Sequence, residues 1–294
     1  TDRGDTLPIT ITGGQLRALT YASPVASAQV KGALLLAALV AEVPVTIREP
    51  YRSRDHTERL FAHLGLGIHE REGAIGYQPS DVDIRSFRVD VPGDISSGAF
   101  LIAAAVLAEG GELLIENVGV NPTRTGFLVV LERMGAHVER LNLRDAGGEP
   151  VADLVVGPAP SLRATQVSPA EIPTLVDEVP VLAIVASRAI GITRFREVGE
   201  LRVKESNRLE LLAANLRALG VHAEAQGDDL VVEGGERPPR GRVDTARDHR
   251  LAMAFAVLAT LPGADVRLSE RRSVAISYPR FFADLKRIRA DVQT

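Results

Sequence analysis

The chain has 294 residues, enough for two domains and a large buried core, and its 45% apolar and 24% charged residues mark a folded protein rather than a disordered one. A formal charge of −4 argues against a nucleic-acid footprint, and the absence of cysteine excludes disulfides, thiolate nucleophiles and cysteine-held metals. The longest apolar runs, such as 101–108, fall far short of a bilayer span, and Thr1-Asp2-Arg3-Gly4-Asp5 offers neither a signal-peptide core nor an initiator Met. A cytoplasmic protein with no membrane segment is expected, with its natural N-terminus elsewhere.

Residues 27–41 form an Ala/Leu-rich helical pattern capped by Ser27 and followed by a β-branched strand at 43–48. Gln29 can donate to an oxyanion and Lys31 sits near the positive end of the helix, although a routine cap also accounts for these residues. In Ser53-Arg54-Asp55-His56-Thr57-Glu58, Asp55 or Ser53 caps a second helix at 55–64, with Glu58 at capping-box distance. Capping explains every residue there except Arg54. Val91-Pro92-Gly93-Asp94 reads as a hinge into a helix at 94–108, a strand at 112–116 and a helix at 123–134. Residues 145–150 read as a loop.

Asp177 suits the N-cap of a helix at 177–187, with Pro180 in the first turn, where its missing N–H costs little. A carboxylate at that mouth, facing cationic helix starts, would equally serve as a general base. A strand at 191–195 follows, then a helix at 205–219 ending at Gly220. This places Lys204 and Arg208 four apart in the first turns, where like charges repel and the dipole prefers carboxylates. Either Glu205 and Glu210 offset them as a solvated face, or an anion binds there. Arg247, His249 and Arg250 crowd the start of the next apolar helix, 248–261, with the same two explanations and Asp248 as cap. A strand at 265–268 and a helix at 279–288 close the series; 234–242 is a Gly/Pro-rich loop.

These elements repeat as β-α-β-α-β-β about four times, at intervals of roughly 70–80 residues, too long for a thin solenoid. The first helix of each unit is apolar nearly all round and should be buried; the second has a polar face and should lie at least partly outside. The expectation is an α/β protein of packed repeats. No P-loop occurs, Gly65-Leu66-Gly67 does not extend into a dinucleotide fingerprint, and the six histidines lack metal spacing. His63, His69, His137 and His222 read as ordinary surface or helix-end residues.

Seven segments, SAQVKGALLLAAL, SRDHTERL, PGDISSGAFLIAAAVL, EIPTLVDEVPVLA, ELRVKESNRLE, DHRLAMAFAVLA and SYPRFFADL, span almost the whole chain. In them the sequence resembles the 5-enolpyruvylshikimate-3-phosphate synthase family. The resemblance implies two domains of βαβαββ units, six in the family and about four here, with the active site between the domains. Residues 1–91 would be the remaining part of the first domain and 92–294 the second. It implies transfer of the enolpyruvyl group of phosphoenolpyruvate to the 5-hydroxyl of shikimate 3-phosphate, with no cofactor and no metal, by a protein that is monomeric when full length.

By resemblance, Ser27, Ala28 and Gln29 would bind the shikimate phosphate, with Gln29 also near phosphoenolpyruvate, and Arg54 would add a phosphate contact. Asp177 would accept the proton of the 5-hydroxyl and Lys204 would contact shikimate 3-phosphate beside it. Glu205 would act in proton transfer at the methylene carbon, and Arg208 and Arg250 would hold phosphoenolpyruvate. A lysine that some members carry before the Ser/Thr-aromatic-Pro motif is Ile276 here. The family's N-terminal Lys-Ser and Gly-Asn-Ala-Gly-Thr segments are not found, so this chain alone is expected to show little turnover. The alternatives are a UDP-N-acetylglucosamine enolpyruvyl transferase, disfavoured by the lack of a loop cysteine, and an inactive fragment that keeps part of an anion site.

Overall fold

The structure, a computed structural model, describes residues 9–290, with side chains through 288. Thr1-Asp2-Arg3-Gly4-Asp5 lies outside them. The chain divides into two compact units: unit 1 runs through Tyr51 and resumes at Asp55–Ser86, while unit 2 takes Arg52–Arg54 and everything from Phe87 onward.

Unit 1 is one βαβαββ repeat: β1 (Leu19–Ala22), α1 (Ala28–Ala41), β2 (Val45–Arg48), α2 (His56–His63), β3 (Ile68–Arg71) and β4 (Ala74–Tyr77). Strands β1 and β2 run parallel across the α1 crossover, and the sheet order is β1-β2-β4-β3. The β3–β4 hairpin turns on Glu72 and Gly73, both at positive φ (50° and 72°), a two-residue turn of the twist that antiparallel strands favour. Its core is Leu35 and Ala38 of α1 against Val45, Ile47, Phe61, Leu66 and Tyr77.

Here the expectation of a buried α1 is corrected. Leu36 is 52% and Val40 84% exposed. A four-stranded sheet covers one face of the helix, and among the described residues of unit 1 no second layer covers the other.

Unit 2 contains α3 (Ile95–Val106), β5 (Leu113–Gly119), α4 (Gly126–Arg133), β6 (Val138–Ala146) and β7 (Glu149–Val156). It continues with β8 (Gln166–Val167), α5 (Val179–Ala186), β9 (Ile192–Phe195), α6 (Arg208–Ala218), β10 (Ala223–Gln226) and β11 (Asp229–Glu233). The last elements are β12 (Arg240–Val243), α7 (His249–Leu258), β13 (Asp265–Leu268) and α8 (Phe281–Ala290). The order β8-β9-β11-β10 repeats that of unit 1, with β8 parallel to β9. In the sheet β5-β7-β6 a lone parallel bridge, Gly93 to Val118, stands where the leading strand would be. The fold is therefore α/β, built of repeated βαβαββ units. Two expected loops were drawn too long. Residues 145–150 are the tip of the β6–β7 hairpin, with only Gly147 and Gly148 unpaired, and 240–242 belong to β12, parallel to β13.

Helices α3, α5 and α7 pack on one another at the centre of unit 2. Almost every residue of α3, all of α5, and α7 from Leu251 to Leu258 are buried, as their unbroken apolar sequences require. Each Leu, Ile, Val or Phe so removed from water contributes about 1.5–3 kcal/mol. Among the described residues no helix is long and apolar enough to cross a membrane.

Candidate active site

The three central helices bring their N-termini to one place. Asp94 caps α3 through the Ser96 and Ser97 amides (3.1 and 3.2 Å), and Asp248 caps α7 through the Arg250 and Leu251 amides (2.9 and 3.4 Å). Helix α5 is entered through 3-10 turns at Ile172–Thr174 and Val176–Glu178. The two residues before it are tied to the neighbouring helix: Arg250 Nη1 donates to the Asp177 carbonyl (3.1 Å) and lies 3.7 Å from Glu178 Oε1. The positive ends of three helix dipoles meet here, a setting that attracts anions. Gly126 lets α4 approach this entry turn, since a Cβ there would lie 2.0 Å from Thr174 Oγ1.

Asp177 is the focus. Its Oδ2 is 2.6 Å from Arg54 Nη2 and 3.7 Å from Arg250 Nη2; its Oδ1 is 3.9 Å from both Lys204 Nζ and Arg208 Nη1. One carboxylate thus gathers four cationic side chains from three separate segments of unit 2. Burial works against its charge, but Arg250, Arg54 and Lys204 outweigh burial and hold the carboxyl well below the usual carboxylate range. The expected N-cap role is corrected: the Asp177 side chain makes no cap hydrogen bond, and Glu178 occupies the N-cap position of α5. The carboxylate is turned toward the four cations and away from the helix amides.

Arg208, 1% exposed, is clamped by Asp248, with Nε to Oδ2 at 2.8 Å and Nη2 to Oδ1 at 3.2 Å. Ser206 Oγ donates to the same Oδ2 (2.9 Å). Burial raises the Asp248 pKa, yet Arg208 and Ser206 together bring it below the ordinary value. Asp248 therefore does two tasks, capping α7 and fixing Arg208 by a bidentate pair. Glu205 is half exposed and meets Arg208 Nη2 at 2.5 Å, while His249 Nδ1 lies 4.0 Å from its other oxygen. Burial, and Arg250 beside it, lower the His249 pKa.

Lys204 does not sit on a helix. Helix α6 begins at Arg208, with Asn207 capping through the Glu210 amide (3.3 Å), and Lys204 follows a 3-10 turn at Gly199–Val203 in extended backbone. A capping asparagine outcompetes helical continuation at that point. The expected repulsion on one helix face is absent; Lys204 pairs with Glu200 one turn back and faces Asp177. Arg247 is exposed at positive φ and takes no part in the cluster, and Ile276 is 82% exposed.

In unit 1, Ser27 caps α1 through the Val30 amide (3.3 Å), Gln29 is exposed beside it and Ala28 is half-buried. Lys31, weighed above as a cation near that helix start, is buried between Glu49 (3.0 Å) and Glu58 (2.7 Å). Glu58 is thereby drawn away from any capping box, and the Asp55 carboxylate pairs with Arg59 (2.9 Å) instead of capping α2.

Two residues of the cluster escaped the sequence reading. Arg124, from the turn before α4, donates to Asp94 Oδ1 (3.1 Å) and to Ser96 Oγ. Burial and the neighbouring Arg54 work against its charge, while Glu178, Asp94 and Asp177 favour it. Glu178 is 1% exposed. An arginine in a Pro-Thr-Arg-Thr turn and a glutamate beside an expected N-cap carry no local signal; only the tertiary fold joins them.

Residues 2–285 match the sequence profile of EPSP synthase (3-phosphoshikimate 1-carboxyvinyltransferase). A 3-phosphoshikimate 1-carboxyvinyltransferase of Synechococcus sp. (strain RCC307) is 46% identical over 97% of this chain and 66% of its own length. One from Geobacter metallireducens is 41% identical over 98% and 66%. The EPSP synthase structure from Acinetobacter baumannii superposes with a TM-score of 0.85 at 34% identity, covering 98% of this chain and 66% of that one. The chain thus spans just under two thirds of the length of the relatives it matches.

Proposed function

The chain belongs to the EPSP synthase family, and from that premise we propose that it carries the catalytic groups for enolpyruvyl transfer from phosphoenolpyruvate to the 5-hydroxyl of shikimate 3-phosphate. The observation that carries this reading is the Asp177 carboxylate ringed by Arg54, Lys204, Arg208 and Arg250. Both substrates are polyanions, and a partly buried cluster of cations is the feature such substrates need.

In this reading Arg208 and Arg250 hold phosphoenolpyruvate, while Arg54 and Lys204 hold shikimate 3-phosphate. The 5-hydroxyl oxygen attacks C2 of phosphoenolpyruvate and passes its proton to Asp177. C3 gains a proton by way of Glu205, giving a tetrahedral adduct. Loss of a C3 proton and departure of phosphate then leave the enol ether. An aspartate pinned by cations is a poor base. Substrate anions that draw Arg54 and Arg250 away raise its proton affinity, so basicity arrives with the substrates. We assign the protein to the cytoplasm and, at full length, to a monomer.

The test is phosphate release from phosphoenolpyruvate with shikimate 3-phosphate as acceptor. Asp177→Asn should lower kcat by about 10²–10⁴ with KM for both substrates little changed. Wild-type turnover by that variant, or release only with UDP-N-acetylglucosamine, would contradict the assignment.

A further inference from the structure

Asp177 and Glu178 are consecutive carboxylates with opposite surroundings. Asp177 is surrounded by cations; Glu178, 1% exposed, has only the Ser96 hydroxyl beside it and, among the described residues, meets Arg250 at no less than 3.7 Å. Both grip Arg250. Asp177 offers Oδ2 to Nη2 (3.7 Å) and its carbonyl to Nη1 (3.1 Å), and Glu178 approaches Nη1 from the buried side (3.7 Å). Arg124 lies on the same side, with its Nε buried and without an acceptor among the described residues. Ser96 of α3 stands beside Glu178 and accepts from Arg124. A buried carboxylate so sparsely partnered is costly and would be better replaced by an apolar side chain if only stability mattered.

We propose that Glu178 is a positioning residue: it holds the guanidinium group of Arg250 from the buried side, so that Arg250 keeps its orientation when Asp177 releases it to a bound anion. The two carboxylates divide the work. Asp177 exchanges its cations for substrate, and Glu178 remains the permanent counter-ion. The inference rests on the reading above that Arg250 takes an anionic substrate.

Calorimetric titration with phosphoenolpyruvate and with inorganic phosphate, at about pH 8, reads Arg250 without requiring turnover. Glu178→Gln keeps the shape and removes the charge. It should weaken both anions about tenfold and raise the KM for phosphoenolpyruvate to match. The kcat and the affinity for shikimate 3-phosphate should stay within about twofold, and the thermal midpoint should not fall. Glu178→Met is the second variant, with the same expectation. Anion affinities within about twofold of wild type, or a fall in midpoint and kcat at unchanged anion affinity, would overturn the proposal. Intact wild-type protein carrying this chain that binds both anions yet releases no phosphate would instead sink the proposed reaction, and the affinity comparison would still decide the role of Glu178.

Discussion

Arg208 and Asp248 lie 40 residues apart in sequence and form the best-buried ion pair of the cluster. Removing one partner strands the other in a low-dielectric interior, so Arg208→Ala should cost about 3–5 kcal/mol in urea denaturation. Asp248→Ala loses the α7 cap as well, and the double variant should cost clearly less than the sum of the two. Additive losses would show that the pair is not coupled. Glu178 gives a pH dependence of the other kind. Burial raises its pKa in the folded protein despite the pull of Arg250 and Arg124. Its contribution is therefore fully present below the ordinary carboxylate pKa and is lost as pH rises through the raised value. The wild-type denaturation midpoint should fall over that window more than the Glu178→Gln midpoint does; parallel profiles would refute this. At this scale the sequence revealed identities but not partners. Arg54, Lys204, Arg208 and Arg250 stood out because cations near helix starts need an explanation. Lys31 stood out for the same reason, yet Glu49 and Glu58 supply its counter-charge, and no short-range pattern separates the two cases.

At the scale of elements, the entry to α5 depends on α4 packing closely behind it. A Cβ at Gly126 would collide with Thr174 Oγ1. Gly126→Ala should destabilise by about 1–3 kcal/mol and, by displacing the turns before Asp177, lower kcat; an unchanged kcat would separate that packing from the site. The exposed face of α1 makes the opposite case: Val40→Lys should alter stability by no more than about 0.5 kcal/mol. Helices α3, α5 and α7 were legible because an apolar run of helical length has nowhere to go but inside. Helix α1 has the same composition, and its exposure depends on how many layers surround it, which composition does not encode. The start of α6 was misread because Ser206 and Asn207 can either continue a helix or cap one, and the Asn207 cap prevailed.

For the whole molecule, a net charge of −4 conceals a concentration of arginine and lysine, paired with carboxylates, at one place in unit 2. Its arginines come from the 52–54 segment, the turn before α4, and the starts of α6 and α7, so the site exists only when unit 2 is folded. The repeat explains why: α3, α5 and α7, the first helices of the repeats in unit 2, place their N-termini at its centre, and the chemistry occupies those ends. Repeat period and resemblance made the architecture readable, whereas the convergence of the three N-termini required coordinates. The central claim is that the Asp177 cluster performs enolpyruvyl transfer. It is tested most directly by phosphate release from phosphoenolpyruvate by the intact protein carrying this chain, with and without shikimate 3-phosphate, for wild type and Asp177→Asn. The expected result is release that requires shikimate 3-phosphate and falls at least about a hundredfold in the variant. Release that ignores shikimate 3-phosphate, or that survives the substitution, would contradict it.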